Sequence, residues 1–266
     1  MNMICCIKQV QDPEAPPATF QVDAAANRVI PPAGIAPVIS PFDEQAVEAA
    51  LRVKDAKGGK VTALCMGTEL VPDVVKKPLA MGADELVLLE DASLLGGDGY
   101  SIAYALVQAI KKIGEYDIIF CGRQAADWDR GQVGSGIAEL LGIPCVTLAQ
   151  KVEALDGKLR VERVIPDGYE VVEVMPPVVI TVSNELGEAR YPTMKGIMTA
   201  RRKPVTTWTG QDIGADASQI GRAGARMKML RLFIPVRVGA CEMVEGENAA
   251  DSGLKLAEKL REAKLI

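Results

Sequence analysis

Short apolar runs alternate with amphipathic stretches over the first half of the chain. An apolar run bounded by turn residues is typical of a buried strand, whereas apolar positions three and four residues apart indicate a helix. Strands are predicted over residues 3–10, 60–66, 85–90, 116–121 and 145–149. Helices are predicted between them, over residues 40–57, 69–81, 97–113 and 131–142. This alternation predicts an α/β fold with a doubly wound parallel sheet and right-handed crossovers.

The first predicted helix has the clearest start. Ser40 stands at the N-cap position, Pro41 at the first helical position, and Asp43 in the first turn, where a carboxylate is favourable. The second predicted helix is weaker, because Pro72 and Pro78 both interrupt it.

The pattern changes after residue 150. Strands are predicted over residues 151–155, 158–165, 169–175 and 178–183, joined in part by Asp-Gly turns, and we expect them to form an antiparallel meander on the sheet edge. Residues 184–203 are predicted to form a polar loop that ends in a short helix. Residues 209–248 are predicted to be irregular and Gly-rich apart from one strand at 230–238, and residues 249–265 to form a terminal helix. We therefore expect a nucleotide-binding α/β domain with an antiparallel extension over residues 1–208, and a C-terminal arm over residues 209–266 that packs on a partner subunit.

Composition excludes several classes of function. The 266 residues carry a net charge of −5 without a long basic run, which argues against nucleic acid as a partner. No apolar stretch is long enough for membrane insertion, and the N-terminus does not resemble a signal peptide, so we expect a cytoplasmic protein. The chain has no histidine, and its six cysteines form no CxxC pair. Histidine-dependent nucleophile systems, histidine-ligated zinc and iron–sulfur spacing are therefore absent, and no metal site is expected.

A strand, a polar loop and a helix over residues 116–142 form the most informative stretch. Gly131, Gly134 and Gly136 open the helix, where bare backbone N–H groups and the helix dipole favour an anion. Arg123 and Arg130 flank the same turn and are suited to contact a phosphate or pyrophosphate. The alternative is a glycine-lined turn that binds no ligand, since the spacing matches neither common nucleotide fingerprint.

Ligands of doubly wound sheets bind at the carboxyl ends of the strands, near a topological switch point. Four predicted loops lie at those ends, and we expect them to line one crevice: residues 10–12, 67–68, 91–98 and 122–131.

Five segments, in this order, resemble the beta subunit of electron transfer flavoproteins. They are CIKQVQDP, SPFDEQAVEAALRVKD, PLAMGADELVLL, GRQAADWDRGQVG and GEARYPTMKGIMTARRKP. The resemblance covers residues 4–208 and weakens in the tail. It implies a fold like that of adenine-nucleotide hydrolases, an alpha-subunit partner that carries one FAD, and a second adenine nucleotide in the beta subunit itself. That nucleotide is a structural AMP in simple carriers and an FAD near an NADH site in electron-bifurcating members.

The resemblance also implies the residues of the nucleotide pocket. Carried onto this chain, the cofactor-binding residues are Cys6, Ser40, Pro41, Phe42, Asp43, Met66, Gly122, Arg123, Gln124, Ala125, Ala126, Asp127, Trp128, Asp129, Arg130, Gly131, Gln132 and Val133. Within this set, Trp128 either stacks on a cofactor ring or caps its loop, and Arg130 either pairs with a phosphate or is an ordinary exposed arginine.

Two further sites follow from the resemblance. The segment GGDGYSIAYAL resembles bifurcating members, so Gly96, Gly97 and Gly99 are expected to admit the NADH pyrophosphate and Asp98 to bind a hydroxyl. The alternative is that Asp98 caps a helix. Leu186 matches the recognition leucine with which the family docks a flavin-dependent dehydrogenase. We expect it to be exposed, the alternative being a leucine folded onto its own sheet.

The resemblance favours an electron-bifurcating function. NADH would donate electrons to an FAD in this subunit, one electron passing to ferredoxin or flavodoxin and the other, through the alpha-subunit FAD, to the dehydrogenase. No catalytic acid or base is needed, because the chemistry belongs to the cofactor. The alternatives are a non-bifurcating carrier that binds AMP and a stand-alone ATP-binding protein of related fold.

Overall fold

A computed structural model gives the structure of the chain and describes residues 1–235, 239 and 241–266. The strands are β1 (Asn2–Ile7), β2 (Gln9–Val10), β3 (Gln21–Asp23), β4 (Arg28–Ile30), β5 (Val38–Ile39), β6 (Lys60–Met66), β7 (Glu85–Leu89), β8 (Ile118–Gly122), β9 (Cys145–Ala154), β10 (Leu159–Ile165), β11 (Gly168–Val174), β12 (Val178–Val182) and β13 (Val205–Trp208). The helices are α1 (Pro41–Lys57), α2 (Pro72–Val75), α3 (Lys77–Met81), α4 (Gly99–Ile113), α5 (Val133–Leu141), α6 (Met194–Arg202), α7 (Gly221–Gly224) and α8 (Ala249–Glu262).

Nine strands form one sheet in the order β11-β10-β9-β12-β8-β1-β6-β7-β13. From β9 to β13 in that order, every pair of neighbouring strands is parallel. The pairs β9–β10 and β10–β11 are antiparallel. From β1 the chain moves outward through β6 and β7, then crosses back to place β8 on the other side of β1. The predicted doubly wound α/β sheet is confirmed, and its switch point lies between β1 and β8.

Helices cover both faces of the sheet and divide the core in two. Alternate residues of β1 point to opposite faces, so Cys5 and Ile7 join the core beneath α1, and Ile4 and Cys6 join the core beneath α4 and α5. The second core also contains Ile213 and Ile220, although sequence analysis placed the end of the α/β domain at residue 208.

The predicted meander needs a correction at its last strand. β12 does not follow β11 on the edge but lies between β8 and β9, parallel to both. All five of its residues are buried, and a strand that is apolar on both faces is stable only in the interior of such a sheet. The segments predicted as 145–149 and 151–155 are one strand, β9, which carries an irregularity where it passes β12.

The proline-interrupted helix is two short helices. Pro72 and Pro78 lie in the first turns of α2 and α3, where a missing N–H is tolerated. Sequence analysis missed β13, which adds the ninth strand beside β7, because its two central threonines are exposed and give no apolar run.

The C-terminal part is mostly exposed. The predicted terminal helix is present as α8, with Leu254 and Leu256 exposed at 61% and 47%. Its packing on a partner subunit stays a prediction. Of the strand predicted over 230–238, residues 230–235 are irregular, and residues 236–238 lie outside the described residues. Among the described residues, no helix is long and apolar enough to cross a membrane.

Candidate nucleotide-binding site

The candidate site lies at the carboxyl ends of the three central strands. Lys8 follows β1, Met66 ends β6 and Gly122 ends β8. Because β1 and β8 flank the switch point, the connections leaving them diverge to opposite faces and open a crevice, which is where doubly wound sheets bind ligands.

A buried carboxylate ties the elements of this crevice together. Asp43, in the first turn of α1, accepts a backbone hydrogen bond from Lys8 at 2.9 Å through one oxygen and from Gly122 at 3.1 Å through the other. Burial raises the pKa of the Asp43 carboxyl to about 7, although the N–H groups of Gly122 and Lys8 act in the opposite direction. Asp43 therefore joins the ends of β1 and β8 to the start of α1, rather than presenting a free charge.

Gly122 is required by close packing. A Cβ atom on this residue would lie 2.5 Å from the Asp43 carboxylate and 2.8 Å from the Phe42 backbone carbon. The start of α1 thus approaches the end of β8 more closely than any side chain allows.

Ser40 links α1 to the nucleotide loop, residues 122–133. It occupies the predicted N-cap position, and its carbonyl accepts from the Asp43 N–H at 2.8 Å. Its hydroxyl does not cap the helix but accepts from the Ala126 N–H at 3.3 Å. Ser40 and Phe42 are therefore brought beside the loop, and the cofactor contacts of Ser40, Pro41 and Phe42 stay predictions.

The nucleotide loop is held by contacts of its own. Asp127 forms an ion pair with Lys8 at 2.5 Å, and the Gln124 amide donates to Asp129 at 2.8 Å. The N–H groups of Trp128 and Asp129 both donate to the Ala125 carbonyl, which closes a tight turn. Sequence analysis overlooked Lys8, although a basic residue directly after a central apolar strand was a signal for a charged group at the site.

The loop leads into α5, whose N-terminus can receive an anion. Gly131 has a φ of +61°, a conformation that favours glycine. A Cβ on Gly134 would lie 2.5 Å from the Thr181 methyl carbon, so α5 packs directly on β12. Within the described chain, the N-cap residue Gln132 makes no side-chain cap. The first N–H groups of α5, beginning with Val133, have no acceptor inside the helix and are suited to hold a phosphate.

Two arginines and a tryptophan border the loop. The Arg123 guanidinium lies 5.7 Å from the Phe42 ring centre and donates to the Asn184 side chain at 3.3 Å. Arg130 lies over the Trp128 ring at 5.4 Å, and Trp128 is 42% exposed. The arginine thus covers part of the indole while a large area remains open for a planar ligand, and both predictions made for Trp128 stay open.

Cys6 and Met66 lie at the carboxyl ends of their strands. Cys6 is buried and stands in register with Cys121 of β8, on the same face of the sheet. Burial and the neighbouring Cys6 raise the pKa of the Cys121 thiol, with the hydrogen bond to Cys6 as the largest cause. Cys6 and Cys121 are both buried in the core, where cysteine packs as a small apolar residue.

The expected NADH contacts lie at the start of α4, where a Cβ on Gly99 would lie 2.8 Å from the side-chain oxygen of Gln132 in the nucleotide loop. Asp98 is the N-cap of α4, and one of its oxygens accepts from the N–H groups of Tyr100 and Ser101, both at 3.1 Å. Its second oxygen accepts from the N–H groups of Arg226 and Met227 at 2.7 and 2.8 Å. The helix cap that the sequence allowed as an alternative is present, with both Asp98 oxygens bonded within the protein, while residues 92, 93, 95 and 96 of the same loop are exposed. The NADH contact stays a prediction.

Leu186 differs from the expectation of an exposed docking residue. It is only 7% exposed and belongs to a short 3₁₀ turn, Asn184–Leu186, that packs on the core beneath α1. Arg52 of α1 donates to the Leu186 carbonyl at 3.1 Å. Folding this leucine onto its own sheet removes its apolar surface from water, which is the reason the expected exposure is wrong. Its docking role stays a prediction.

Glu48 holds the segment that follows Leu186. Its carboxylate pairs with Arg190 at 2.7 Å and with Arg52 at 2.8 Å, and it is nearly buried. Burial alone would raise the pKa of Glu48, but the two guanidinium groups outweigh it and hold that pKa below its ordinary value. The segment from Leu186 to Arg190 is thus fixed to α1 by charge as well as by packing.

Comparison with known proteins identifies the family of this chain. A family model described as the electron transfer flavoprotein domain matches residues 28–213. The electron transfer flavoprotein subunit beta of Thermoanaerobacterium thermosaccharolyticum is 40% identical over the whole of both chains. The caffeyl-CoA reductase-Etf complex subunit CarD of Acetobacterium woodii is 36% identical, also over the whole of both chains. The acryloyl-CoA reductase electron transfer subunit gamma of Anaerotignum propionicum is 35% identical over 97% of this chain and 99% of the relative. The chain therefore belongs to the electron transfer flavoprotein family, and it matches beta subunits of that family along its full length.

Proposed function

We propose that this beta subunit binds an adenine nucleotide at the β1–β8 switch point and works in electron transfer beside an alpha subunit that carries FAD. The observation that carries the proposal is the uncapped N-terminus of α5, next to a nucleotide loop that Ser40, Asp43 and Lys8 hold in place. Backbone N–H groups at a helix start bind phosphate without a special side chain. Arg130 adds a cation at the same turn.

The nucleotide in this proposal is FAD, with NADH as the electron donor. The residues present fit such a group, because the α5 N-terminus matches a pyrophosphate and the open face of Trp128 matches a planar ring. When bound, FAD supplies hydride acceptance and one-electron transfer, and the protein supplies position and shielding from water. The proposed activity is electron bifurcation between ferredoxin or flavodoxin and a flavin-dependent dehydrogenase, with the cytoplasm as its location.

The names of two relatives favour one class of partner dehydrogenase. Both are subunits associated with a reductase of a CoA thioester, caffeyl-CoA in one case and acryloyl-CoA in the other. We therefore propose that the partner dehydrogenase of this chain acts on an acyl-CoA compound.

One observation favours a second candidate, a non-bifurcating carrier with a structural AMP. The Asp98 carboxylate, expected to bind NADH, already accepts four backbone hydrogen bonds within the protein. A carrier needs no NADH site, so this arrangement suits it without any rearrangement.

The nucleotide released on denaturation tests both candidates. The chain is co-expressed with its alpha subunit, the complex is denatured, and FAD and AMP are quantified by chromatography. Two FAD per complex support the bifurcating proposal, whereas one FAD and one AMP refute it and leave the carrier.

Two matched variants locate the nucleotide. Arg130→Ala removes a cation at the nucleotide loop, and Arg160→Ala removes an exposed cation on β10, far along the sheet. We expect Arg130→Ala to weaken retention of the second nucleotide about tenfold, the usual scale of a charge-assisted hydrogen bond, and Arg160→Ala to leave it unchanged. Equal retention in both variants would place the phosphate away from Arg130.

A further inference from the structure

Residues 209–227, here called the strap, lie across the loop that joins β7 to α4. The strap follows β13, the edge strand, and its buried Ile213 and Ile220 belong to the core beneath α4. It therefore covers the carboxyl end of β7, where a doubly wound sheet would otherwise leave loop backbone open to a ligand.

Two aspartates of the β7–α4 loop hold the strap in the same way. Asp91 accepts from the Ser93 N–H of its own turn at 2.8 Å and from the Gly210 N–H of the strap at 2.9 Å. These hydrogen bonds lower the pKa of Asp91. One oxygen of the carboxylate thus caps a local turn, and the other fixes the beginning of the strap.

Asp98 does the same at the far end of the strap. One oxygen caps α4, and the other accepts from the N–H groups of Arg226 and Met227. Burial would raise the pKa of Asp98, but the four backbone donors prevail and lower it. A carboxylate with this many donors is ionised and fully used by the protein.

Side chains of α4 reinforce the second contact. The Tyr100 hydroxyl donates to the Gln219 side chain at 3.0 Å, and the Arg226 guanidinium stacks 3.4 Å from the Tyr100 ring centre. The Tyr104 hydroxyl accepts from the Asp216 N–H at 3.3 Å. The first two turns of α4 thus contact the strap through both backbone and side chains.

The glycines of this region are required by the strap. A Cβ on Gly97 would lie 2.9 Å from the Gly221 carbonyl and would clash with the Ser101 hydroxyl. A Cβ on Gly96 would lie 2.8 Å from the Arg222 side chain. On Gly221, which has a φ of +52°, a Cβ would clash with the Ser93 carbonyl. Close packing of the strap on the β7–α4 loop therefore accounts for Gly96 and Gly97, which otherwise suggest a pyrophosphate site.

We propose that residues 96–98 are the seat of the strap and that Asp98 is a positioning residue, the latch that holds the end of the strap against the start of α4, rather than a ligand of NADH. Beyond Met227, residues 228–230 are exposed, and the next hydrogen bonds back to the α/β domain are those of Leu230 and Leu232 with Asn27. This inference stands independently of which nucleotide the switch-point crevice binds.

Hydrogen exchange of individual backbone amides in the full chain tests the latch. Asp98→Asn turns one acceptor into a donor, and we expect the amides of Arg226 and Met227 to exchange about tenfold to a hundredfold faster. Asp91→Asn is the matched control, and it should accelerate Gly210 while leaving Arg226 and Met227 protected. Unchanged exchange at Arg226 and Met227 in Asp98→Asn overturns the proposal.

A second variant keeps the carboxylate and displaces the strap. Gly221→Ala forces a side chain against the Ser93 carbonyl, and it should accelerate exchange at Arg226 and Met227 as Asp98→Asn does. In the complex with the alpha subunit, the KM for NADH is compared for the two variants. A KM that rises in Asp98→Asn and not in Gly221→Ala overturns the proposal, because the carboxylate then serves the dinucleotide. Equal KM values, with faster exchange in both variants, support it.

Discussion

Replacing Gly122 with alanine tests the geometry of the candidate site most directly. The φ of Gly122 lies outside the left-handed region, so alanine introduces no backbone strain, and the only change is the methyl group. That methyl would lie 2.5 Å from the Asp43 carboxylate and 2.8 Å from the Phe42 backbone. Because the Phe42 backbone is held within α1, the Asp43 carboxylate is the group that has to move.

The magnitude follows from what that movement disrupts. Overpacking in a well-packed interior costs about 1–3 kcal/mol. Displacing the carboxylate weakens its hydrogen bonds from Lys8 and Gly122, each worth about 1.5 kcal/mol or more for a charged acceptor. Partial relaxation relieves part of both costs. We therefore expect Gly122→Ala to lower the free energy of unfolding by about 2–4 kcal/mol.

Urea unfolding of the full chain at about pH 8, where Asp43 is mostly ionised, measures this loss. Gly253→Ala is the matched control, since a Cβ there meets no atom within 4 Å and alanine is the better helix former in α8. The control should be neutral or stabilised by up to about 1 kcal/mol. In the alpha–beta complex, Gly122→Ala should also retain less of the second nucleotide. A Gly122→Ala protein that matches wild type in stability and nucleotide content would refute the proposed packing of α1 on β8.

Three further predictions concern buried groups. The raised pKa of Asp43 means that the folded chain keeps a proton that the unfolded chain, with a pKa near 3.8, has lost. The free energy of unfolding is therefore expected to fall by about 4 kcal/mol as pH rises from about 4 to 7. Asp43→Asn should flatten this profile in urea titrations, and identical profiles for the two proteins would contradict the prediction. Leu186→Ala should cost about 2–4 kcal/mol in unfolding free energy, because the side chain is buried, whereas an effect on electron delivery alone would favour an exposed docking residue. Glu48→Ala should lower the free energy of unfolding by about 1–3 kcal/mol, since two guanidinium groups lose a nearly buried partner. Glu85→Ala breaks an exposed pair with Lys60 and should change stability by less than about 1 kcal/mol. Equal losses in the two variants would contradict the argument from burial.

Local pattern in the sequence was sufficient for the first half of the fold. The Ser40-Pro41 start of α1 and the Gly142 stop of α5 lie where the sequence placed them, because capping chemistry is local. Pattern also located the nucleotide loop, since it follows a buried strand and opens a helix. These predictions needed only neighbouring residues.

Predictions that depended on distant partners were less successful. β12 lies between β8 and β9 in the sheet, and the turns on either side of β12 do not indicate this position. The only signal in the sequence is that β12 is apolar on both faces. The burial of Leu186 depends on α1, whose Glu48 and Arg52 are more than a hundred residues away. A leucine between two acidic residues resembles an exposed anchor until the surface that covers it is known.

The glycines show why a site cannot be separated from a packing contact by sequence alone. At Gly122 and Gly134 the absent Cβ lets α1 and α5 approach the sheet, and at Gly96 and Gly97 it lets the strap approach α4. Both arrangements need glycine for the same steric reason, and both carry a carboxylate nearby. They differ in what meets the backbone: at the start of α5 the first N–H groups have no acceptor within the helix, whereas at the start of α4 Asp98 accepts from two of them. A helix start whose donors are already used has little capacity left for a phosphate, so we propose the crevice at α5, rather than the glycine-rich turn at α4, as the place where this chain holds an anion.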